Sequence, residues 1–279
     1  MPLFGSERNI SIKRIASVEE ARDFQPTFSL SELSPKHRVV LNDEVDESFK
    51  EFEKDINRSG KLFDAAILGY KGPAKKMFSR DLFDPKNIAD WRKRLSRTES
   101  QLAYFVNLEA MLSAYAPEER HGLSDDIKGA IRETVNEIRK NNNDFDWKYL
   151  FWLCSNAKIV EPTEDFLTKA DWEYIEKSLT NGTFRWMKVP EDALTALARI
   201  RIINPSLELP ITAADWEKYK HIMDDPKHES IFGHVVLMHS AELTVLASGG
   251  VESTASGVRL LPPIAHTKSE VPLPVRKHI

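Results

Sequence analysis

The sequence predicts an all-α protein: stacked two-helix repeats forming an α-solenoid or a solenoid-like bundle, with an irregular N-terminal lead-in and an extended C-terminal tail. A short phrase of alanine, aspartate and tryptophan recurs at residues 89–91, 170–172 and 214–216. Two apolar helical segments end alike, in prolines 43 residues apart at Pro162 and Pro205. A fixed period of this length is typical of helical-repeat proteins, and strand patterns are nearly absent.

Each copy of the phrase marks the start of a predicted helix. Its aspartate lies three residues after a capping residue, which is Asn87, Thr168 or Thr212. Such a pair can satisfy the unpaired N–H groups of a first helical turn. Ser124 is a fourth candidate cap without a tryptophan, and the caps at Ser124, Thr168 and Thr212 are 44 residues apart each time. The sequence therefore predicts four units, at approximately 80–122, 123–166, 167–210 and 211–250.

The tryptophans of the phrase, Trp91, Trp172 and Trp216, allow two interpretations. They could form a ladder of exposed rings that recognises a partner, or they could pack between repeats. Each ring can bury on the order of 200 Å² of surface. Because the tryptophans share a helix face with isoleucine and leucine, we predict that they are packing anchors.

The helical domain is predicted to span 41–250. Residues 1–40 show no sustained period, and Pro35 is expected to break any long helix there. The first clear helical stripe follows, with Gly60 as its predicted C-cap. Residues 251–279 are predicted to be a flexible, proline-containing tail. The alternative is that this tail returns and covers the last repeat.

Composition limits the class of protein without naming a function. The chain has 279 residues and a formal net charge of −4, which is too small to imply an acidic or basic partner. One cysteine, Cys154, excludes an intramolecular disulfide framework. Neither a signal peptide nor a transmembrane segment is evident from the sequence. We therefore expect a soluble, cytoplasmic protein.

The two-helix plan and the unit length over residues 80–250 resemble α-solenoid repeat proteins of the HEAT and armadillo type. This resemblance concerns architecture, and no diagnostic residues of one family accompany it. It implies a scaffold, or a protein that binds proteins or peptides through its repeat surface. The sequence-based prediction of function is therefore macromolecular binding, with an unidentified protein or peptide partner, and with no catalytic residues, cofactor or metal.

The first alternative is a nucleic-acid-associated protein. The segment 71–97 holds nine basic residues against three acidic ones. Such a segment can contact phosphates, although the solvated face of an amphipathic helix has the same composition. The candidate phosphate-contacting residues are Lys75, Lys76, Arg92, Lys93, Arg94 and Arg97.

The second alternative is a metal-dependent enzyme with a site in 221–242. This segment holds four histidines, His221, His228, His234 and His239, among several carboxylates. Histidine and carboxylate side chains are the ligands that zinc and di-metal sites use. The spacing is unfavourable, because residues five apart on a helix project about 140° away from each other. A mixture of loop, surface and core histidines is the stronger interpretation.

Overall fold

The computed structural model describes most of the chain, and it is mostly helical, as the sequence predicts. The described residues are 21, 24–55, 58–70, 85–95, 102–141, 143–224 and 235–263.

Ten α-helices, four short 3₁₀ helices and one β-hairpin make up the regular structure of these residues. The helices are α1 (Pro35–Lys54), α2 (Ser59–Ile67), α3 (Pro85–Leu95), α4 (Leu102–Tyr115), α5 (Asp125–Asn141), α6 (Asp144–Val160), α7 (Lys169–Asn181), α8 (Pro190–Ile203), α9 (Ala213–His221) and α10 (Val235–Ala247). The antiparallel hairpin consists of β1 (Val251–Thr254) and β2 (Gly257–Leu260).

The even-numbered helices form the centre of the molecule. Along the chain, α2 packs on α4, α4 on α6, α6 on α8, and α8 on α10. The last helix, α10, also packs on α2, so the contacts close into a ring. We call α2, α4, α6, α8 and α10 the ring helices. An open solenoid has no contact between its first and last units, whereas this arrangement buries the apolar faces of both.

The odd-numbered helices lie against this ring. α1 packs on α2 and α10, α3 on α4, α5 on α6, and α9 on α8. This division into ring helices and flanking helices agrees with the sequence pattern, because the flanking helix α5 carries one apolar stripe whereas the ring helix α10 is buried on nearly every side. A helix that is apolar all round is stable only in a core.

Two of the predicted caps are confirmed in full. Thr168 accepts a hydrogen bond from the N–H of Asp171, whose carboxylate accepts one from the N–H of Thr168. Thr212 and Asp215 make the same capping box at the start of α9. The predicted cap at Asn87 is wrong, because α3 begins two residues earlier, at Pro85. Proline suits this first position, since its missing N–H would have no helical partner there.

Two predictions near the first helix are also wrong. Pro35 does not break a helix but begins α1, and the Ser34 hydroxyl caps it by accepting from the N–H of His37. Gly60 is not a C-cap but lies in the first turn of α2. A Cβ at this position would lie 3.0 Å from Nδ2 of Asn107. The glycine therefore lets the Asn107 side chain of α4 approach the α2 backbone closely.

The recurring tryptophans pack against the core, as predicted, although to different degrees. Trp216 is buried, with 3% of its surface exposed. Trp91 and Trp172 are half-buried at the edge of the core. The Trp91 ring meets Phe52 of α1 edge-on, with 5.1 Å between the ring centroids. These positions favour packing over a ladder of exposed rings.

The hairpin differs from the prediction of a flexible tail over residues 251–260. Composition indicated a linker there, but the glycines have a packing role. Gly257 has a φ of +121°, and a Cβ there would lie 3.0 Å from the Ala114 carbonyl oxygen in α4. A Cβ on Gly250 would lie 2.9 Å from the carbonyl oxygen of Arg201 in α8. The hairpin thus lies against the ends of ring helices, where it contacts α2, α4 and α6. Residues 264–279 lie outside the described part of the chain.

One ion pair joins two of the flanking helices. The Arg139 guanidinium of α5 donates from Nε to Oδ1 of Asp171 in α7 at 2.7 Å, and from Nη2 to Oδ2 at 2.5 Å. Burial on its own raises the pKa of Asp171, but hydrogen bonds from Arg139 and Thr168 outweigh it and hold the pKa below its usual value. The Asp171 carboxylate therefore caps α7 and also ties that helix to α5.

We expect Asp171→Ala to lower the free energy of unfolding by about 2–3 kcal/mol, since it removes a cap worth about 1 kcal/mol and a charged bidentate pair. Asp215→Ala is the matched control, because Asp215 makes the same capping box with one exposed lysine, Lys218, as its ion-pair partner. Its expected cost is about 1 kcal/mol. Urea unfolding of both variants measures the difference. Equal losses would show that the Arg139 pair contributes nothing.

Candidate functional site

A cleft of about 440 Å³ lies between α7, the α8–α9 connection and the end of α10, and Ala21, residues 24–26 and Pro263 complete its lining. This volume lies within the range of ordinary ligand-binding sites. Four buried leucines line it: Leu179 from α7, Leu207 and Leu209 from the α8–α9 connection, and Leu246 from α10. Its polar lining comes from Gln25, Glu176, Thr180, Arg201, Asn204, Ser206, Glu208 and Ser248.

The wall formed by the α8–α9 connection begins with a turn at Pro205 and Ser206, and exposed and buried residues alternate along it. Ser206 and Glu208 are exposed, whereas Leu207 and Leu209 are buried. The Arg201 guanidinium holds this wall in place, because Nη1 donates to the carbonyl oxygens of Pro205 at 2.7 Å and Leu207 at 3.3 Å. The segment is therefore fixed at its start by a side chain from α8.

Arg201 is a structural residue of this cleft. Burial lowers its pKa from the usual value, and Nη1 is occupied by the two carbonyl groups described above. Glu176, Arg201 and Glu208 are the titratable residues among those that line the cleft. No nucleophile paired with a base lies among these lining residues.

A second feature is a cluster of buried polar side chains contributed by all five ring helices. The Asn107 amide of α4 donates to Oγ of Ser59 at 3.0 Å, and the Asn156 amide of α6 donates to Oδ1 of Asn107 at 3.2 Å. Arg199 Nη2 of α8 lies 3.5 Å from Oδ1 of Asp64 in α2. In α10, Nδ1 of His239 lies 2.8 Å from Oε2 of Glu242. We call these seven residues the buried polar cluster.

Asp64 is the most strongly perturbed member of this cluster. Burial raises its pKa to about 7; nearby Glu242 adds to the rise, whereas Arg199 and His239 oppose it. Three atoms of the cluster have no hydrogen-bond partner among the described residues: Oδ1 of Asn156, Nε of Arg199 and Oε1 of Glu242. A half-satisfied buried network of this kind is costly to the fold.

The predicted phosphate-contacting residues do not all lie on one accessible surface. Lys75, Lys76 and Arg97 lie outside the described residues. Arg92 turns inward: its Nε lies 2.5 Å from Oε1 of Glu109, and Nη2 donates to the Glu119 carbonyl oxygen. Lys93 and Arg94 are exposed on α3. Within the described ranges, the nucleic-acid prediction therefore depends on these two side chains.

The predicted histidine site is divided between the surface and the core. His221 is exposed and its Nδ1 lies 3.0 Å from Asp224, whereas His239 is buried against Glu242. His228 and His234 lie outside the described residues. Across the parts of the chain that the structure describes, no group of three or more potential ligands is placed to hold a metal ion. Cys154 is buried, as its apolar helix predicts, and burial raises the pKa of its thiol to about 12.

Sequence reasoning missed the buried polar cluster, although a signal was present. Asp64 and Asn107 are 43 residues apart, and Asn156, Arg199 and Glu242 follow one another at the same interval. This is close to the period of the helix caps. The interval places polar residues at related positions of successive ring helices, inside helices that are otherwise apolar. The cleft had no comparable signal, because its walls come from segments with no shared pattern.

No protein-family model, no curated protein sequence and no solved structure matches this chain. Among the ten described α-helices, none is long and apolar enough to cross a membrane. The basis for a functional proposal is therefore the geometry of the chain itself.

Proposed function

We propose that this protein acts by binding another protein or peptide, and that it holds an extended segment of that partner in the cleft between α7, α8 and α10. The observation that supports this most directly is the alternation of exposed and buried side chains along residues 206–209 in the cleft wall. An extended peptide that lies along such a wall can place alternate side chains in apolar pockets.

The chemistry of the lining supports the same proposal. Leu179, Leu207 and Leu246 offer an apolar surface for alternate side chains of a peptide. Thr180 and Ser206 supply hydroxyl groups that can donate to or accept from its main chain. A few placed polar groups over an apolar surface are typical of binding sites that fix the orientation of a ligand.

The finer description of the architecture is a proposal as well. We regard the helix pairs as variants of one repeating unit of the HEAT and armadillo kind, closed on itself in place of an open stack. The capping boxes 44 residues apart and the cluster positions 43 residues apart support this view. A repeated unit would explain why binding surfaces arise at the connections, where the units differ.

Ser206→Trp tests the proposed function, because the new ring would fill the cleft from an exposed position. Peptides are first selected from a random twelve-residue library displayed on phage, using the immobilised wild-type protein. Synthetic copies are then titrated against both proteins by isothermal calorimetry. We expect binding to the variant to be at least tenfold weaker.

Ser31→Trp is the matched control, since Ser31 is exposed in the described structure and does not line the cleft. It should bind the selected peptides within about twofold of the wild-type affinity. Thermal unfolding followed by circular dichroism must show that both variants fold. Equal binding by Ser206→Trp and wild type would contradict the proposal, and so would a selection that enriches no peptide.

A further inference from the structure

The contact between α10 and α2 is the seam at which the ring closes. α1 contributes to this seam, because the Glu44 carboxylate accepts from the N–H of Val236 at 3.4 Å and from that of Leu237 at 2.5 Å. These are N–H groups of the first turn of α10, where a carboxylate is favoured by the helix dipole. The seam is thus held by apolar packing and by the half-buried Glu44 carboxylate, which caps α10.

Charged groups from α2, α8 and α10 meet on the inner side of the seam. Asp64 of α2 faces Glu242 and His239 of α10 as well as Arg199 of α8. Tyr115 of α4 also lies near Asp64, and its hydroxyl donates to the Leu62 carbonyl oxygen at 2.9 Å. All of these side chains are at least half-buried, so water screens their charges only weakly.

The balance of charge at this seam depends on Asp64. Glu44, Asp64 and Glu242 can place three negative charges around α10, whereas Arg199 brings a guanidinium and His239 an imidazole. Lys61 of α2 also acts on Glu44, but its ammonium lies 2.7 Å from Oε2 of Glu51 in α1. Loss of the Asp64 proton to solvent adds a negative charge beside Glu242, and repulsion from Glu242 then opposes the attraction of Arg199 for the ionised carboxylate.

We propose that the seam between α10 and α2 is a pH-sensitive latch, closed when Asp64 is protonated and loosened when Asp64 ionises beside Glu242. Loosening would release α10 from α2 before the remaining ring helices separate. Leu246 and Ser248, at and just after the end of α10, line the cleft. The latch therefore couples pH to the shape of the cleft, although its existence does not depend on what the cleft binds.

The direction of the effect follows from proton linkage. The pKa of Asp64 is raised to about 7 from 3.8 in an ordinary aspartate, chiefly by burial. The folded state therefore binds this proton more tightly than the unfolded chain does. Stability falls as pH rises between about 4 and 7, and the loss is complete above the folded pKa. The raised pKa of Glu44, again chiefly from burial, acts in the same direction.

Hydrogen exchange measured by mass spectrometry tests the latch on the full chain. Protection factors, corrected for the intrinsic pH dependence of exchange, are compared at pH 5.5 and pH 8 for amides of α2, α6 and α10. We expect protection in α2 and α10 to fall at least tenfold, and protection in α6, which packs on α4 and α8, to fall less than threefold. Asp64→Asn should abolish the difference between α10 and α6.

Asp192→Asn is the control for removing a carboxylate from a ring helix, because Asp192 pairs with Lys148 away from the cluster. It should keep the wild-type response to pH. If Asp64→Asn does not fold, Glu242→Gln removes the opposing charge and should reduce the response at least threefold. A loss of protection that is equal in α6 and α10 would overturn the proposal. The same holds if Asp64→Asn, or Glu242→Gln in its place, leaves the response unchanged.

Discussion

Arg92→Met is expected to lower the free energy of unfolding by about 3–5 kcal/mol, because it leaves a buried carboxylate without its cation. Glu109 has no exposed surface, and Arg92 binds both of its carboxylate oxygens. The peptide N–H of His121 also donates to Glu109, at 3.3 Å. Methionine keeps much of the apolar stem of arginine, so the change removes mainly the charge. Urea unfolding followed by tryptophan fluorescence measures the loss.

Arg94→Met on the same helix provides the comparison. Arg94 is exposed, and surface substitutions of this kind usually change stability by less than about 0.5 kcal/mol. The pair also bears on the nucleic-acid alternative, since both arginines were candidate phosphate contacts. A small loss for Arg92→Met, close to that of Arg94→Met, would mean that the Arg92–Glu109 pair does not hold α3 to α4.

Trp216→Ala is expected to cost about 3–5 kcal/mol, the range for removing a large ring from a packed core. Trp216 lies on α9, and only 3% of its surface is exposed. Its removal therefore leaves a cavity where α9 packs on α8. Chemical denaturation of the purified variant measures the cost. The capping box at Thr212 stays in place, so the loss reports on packing alone.

Trp172→Ala separates burial from sequence position. Trp172 occupies the same place in the recurring phrase but is half-buried. Its loss should cost about 1–2 kcal/mol, because less apolar area returns to water. If the Trp216 variant lost less than about 1 kcal/mol, the ring would not be a packing anchor, and the recognition-ladder interpretation would regain support.

The helix pairs were predictable because local signals repeat. The caps at Thr168 and Thr212, the proline at the start of α8 and the mostly apolar pattern of α10 each act within one turn or one helix. Pro35 and Asn87 were misinterpreted for a related reason: a residue that disfavours a helix interior can be suitable in its first turn. Whether such a residue stops or starts a helix depends on its position in that helix, and the sequence alone did not fix where α1 and α3 begin.

The closure of the ring and the candidate site were not predictable in the same way. Whether α10 meets α2 depends on the small rotation from each pair to the next, which no single residue encodes. Arg92 illustrates the consequence for function. In sequence it belongs to a basic segment, but it pairs with the Glu109 carboxylate, which lies 17 residues away on another helix. Partner choice among charged residues is settled by tertiary packing.

The closed ring also has a consequence for how this chain folds. The hydrogen bond between Glu44 and Leu237 joins residues 193 positions apart. Closing a loop costs about 0.6 kcal/mol more for each doubling of its length, so this contact costs roughly 1.3 kcal/mol more than one that closes a loop of about 43 residues. Helix pairs can form early from local contacts, but the ring must wait for its last helix. A chain shortened before α10 would leave the apolar faces of α2 and α8 in water, and so would not be a smaller version of the same fold.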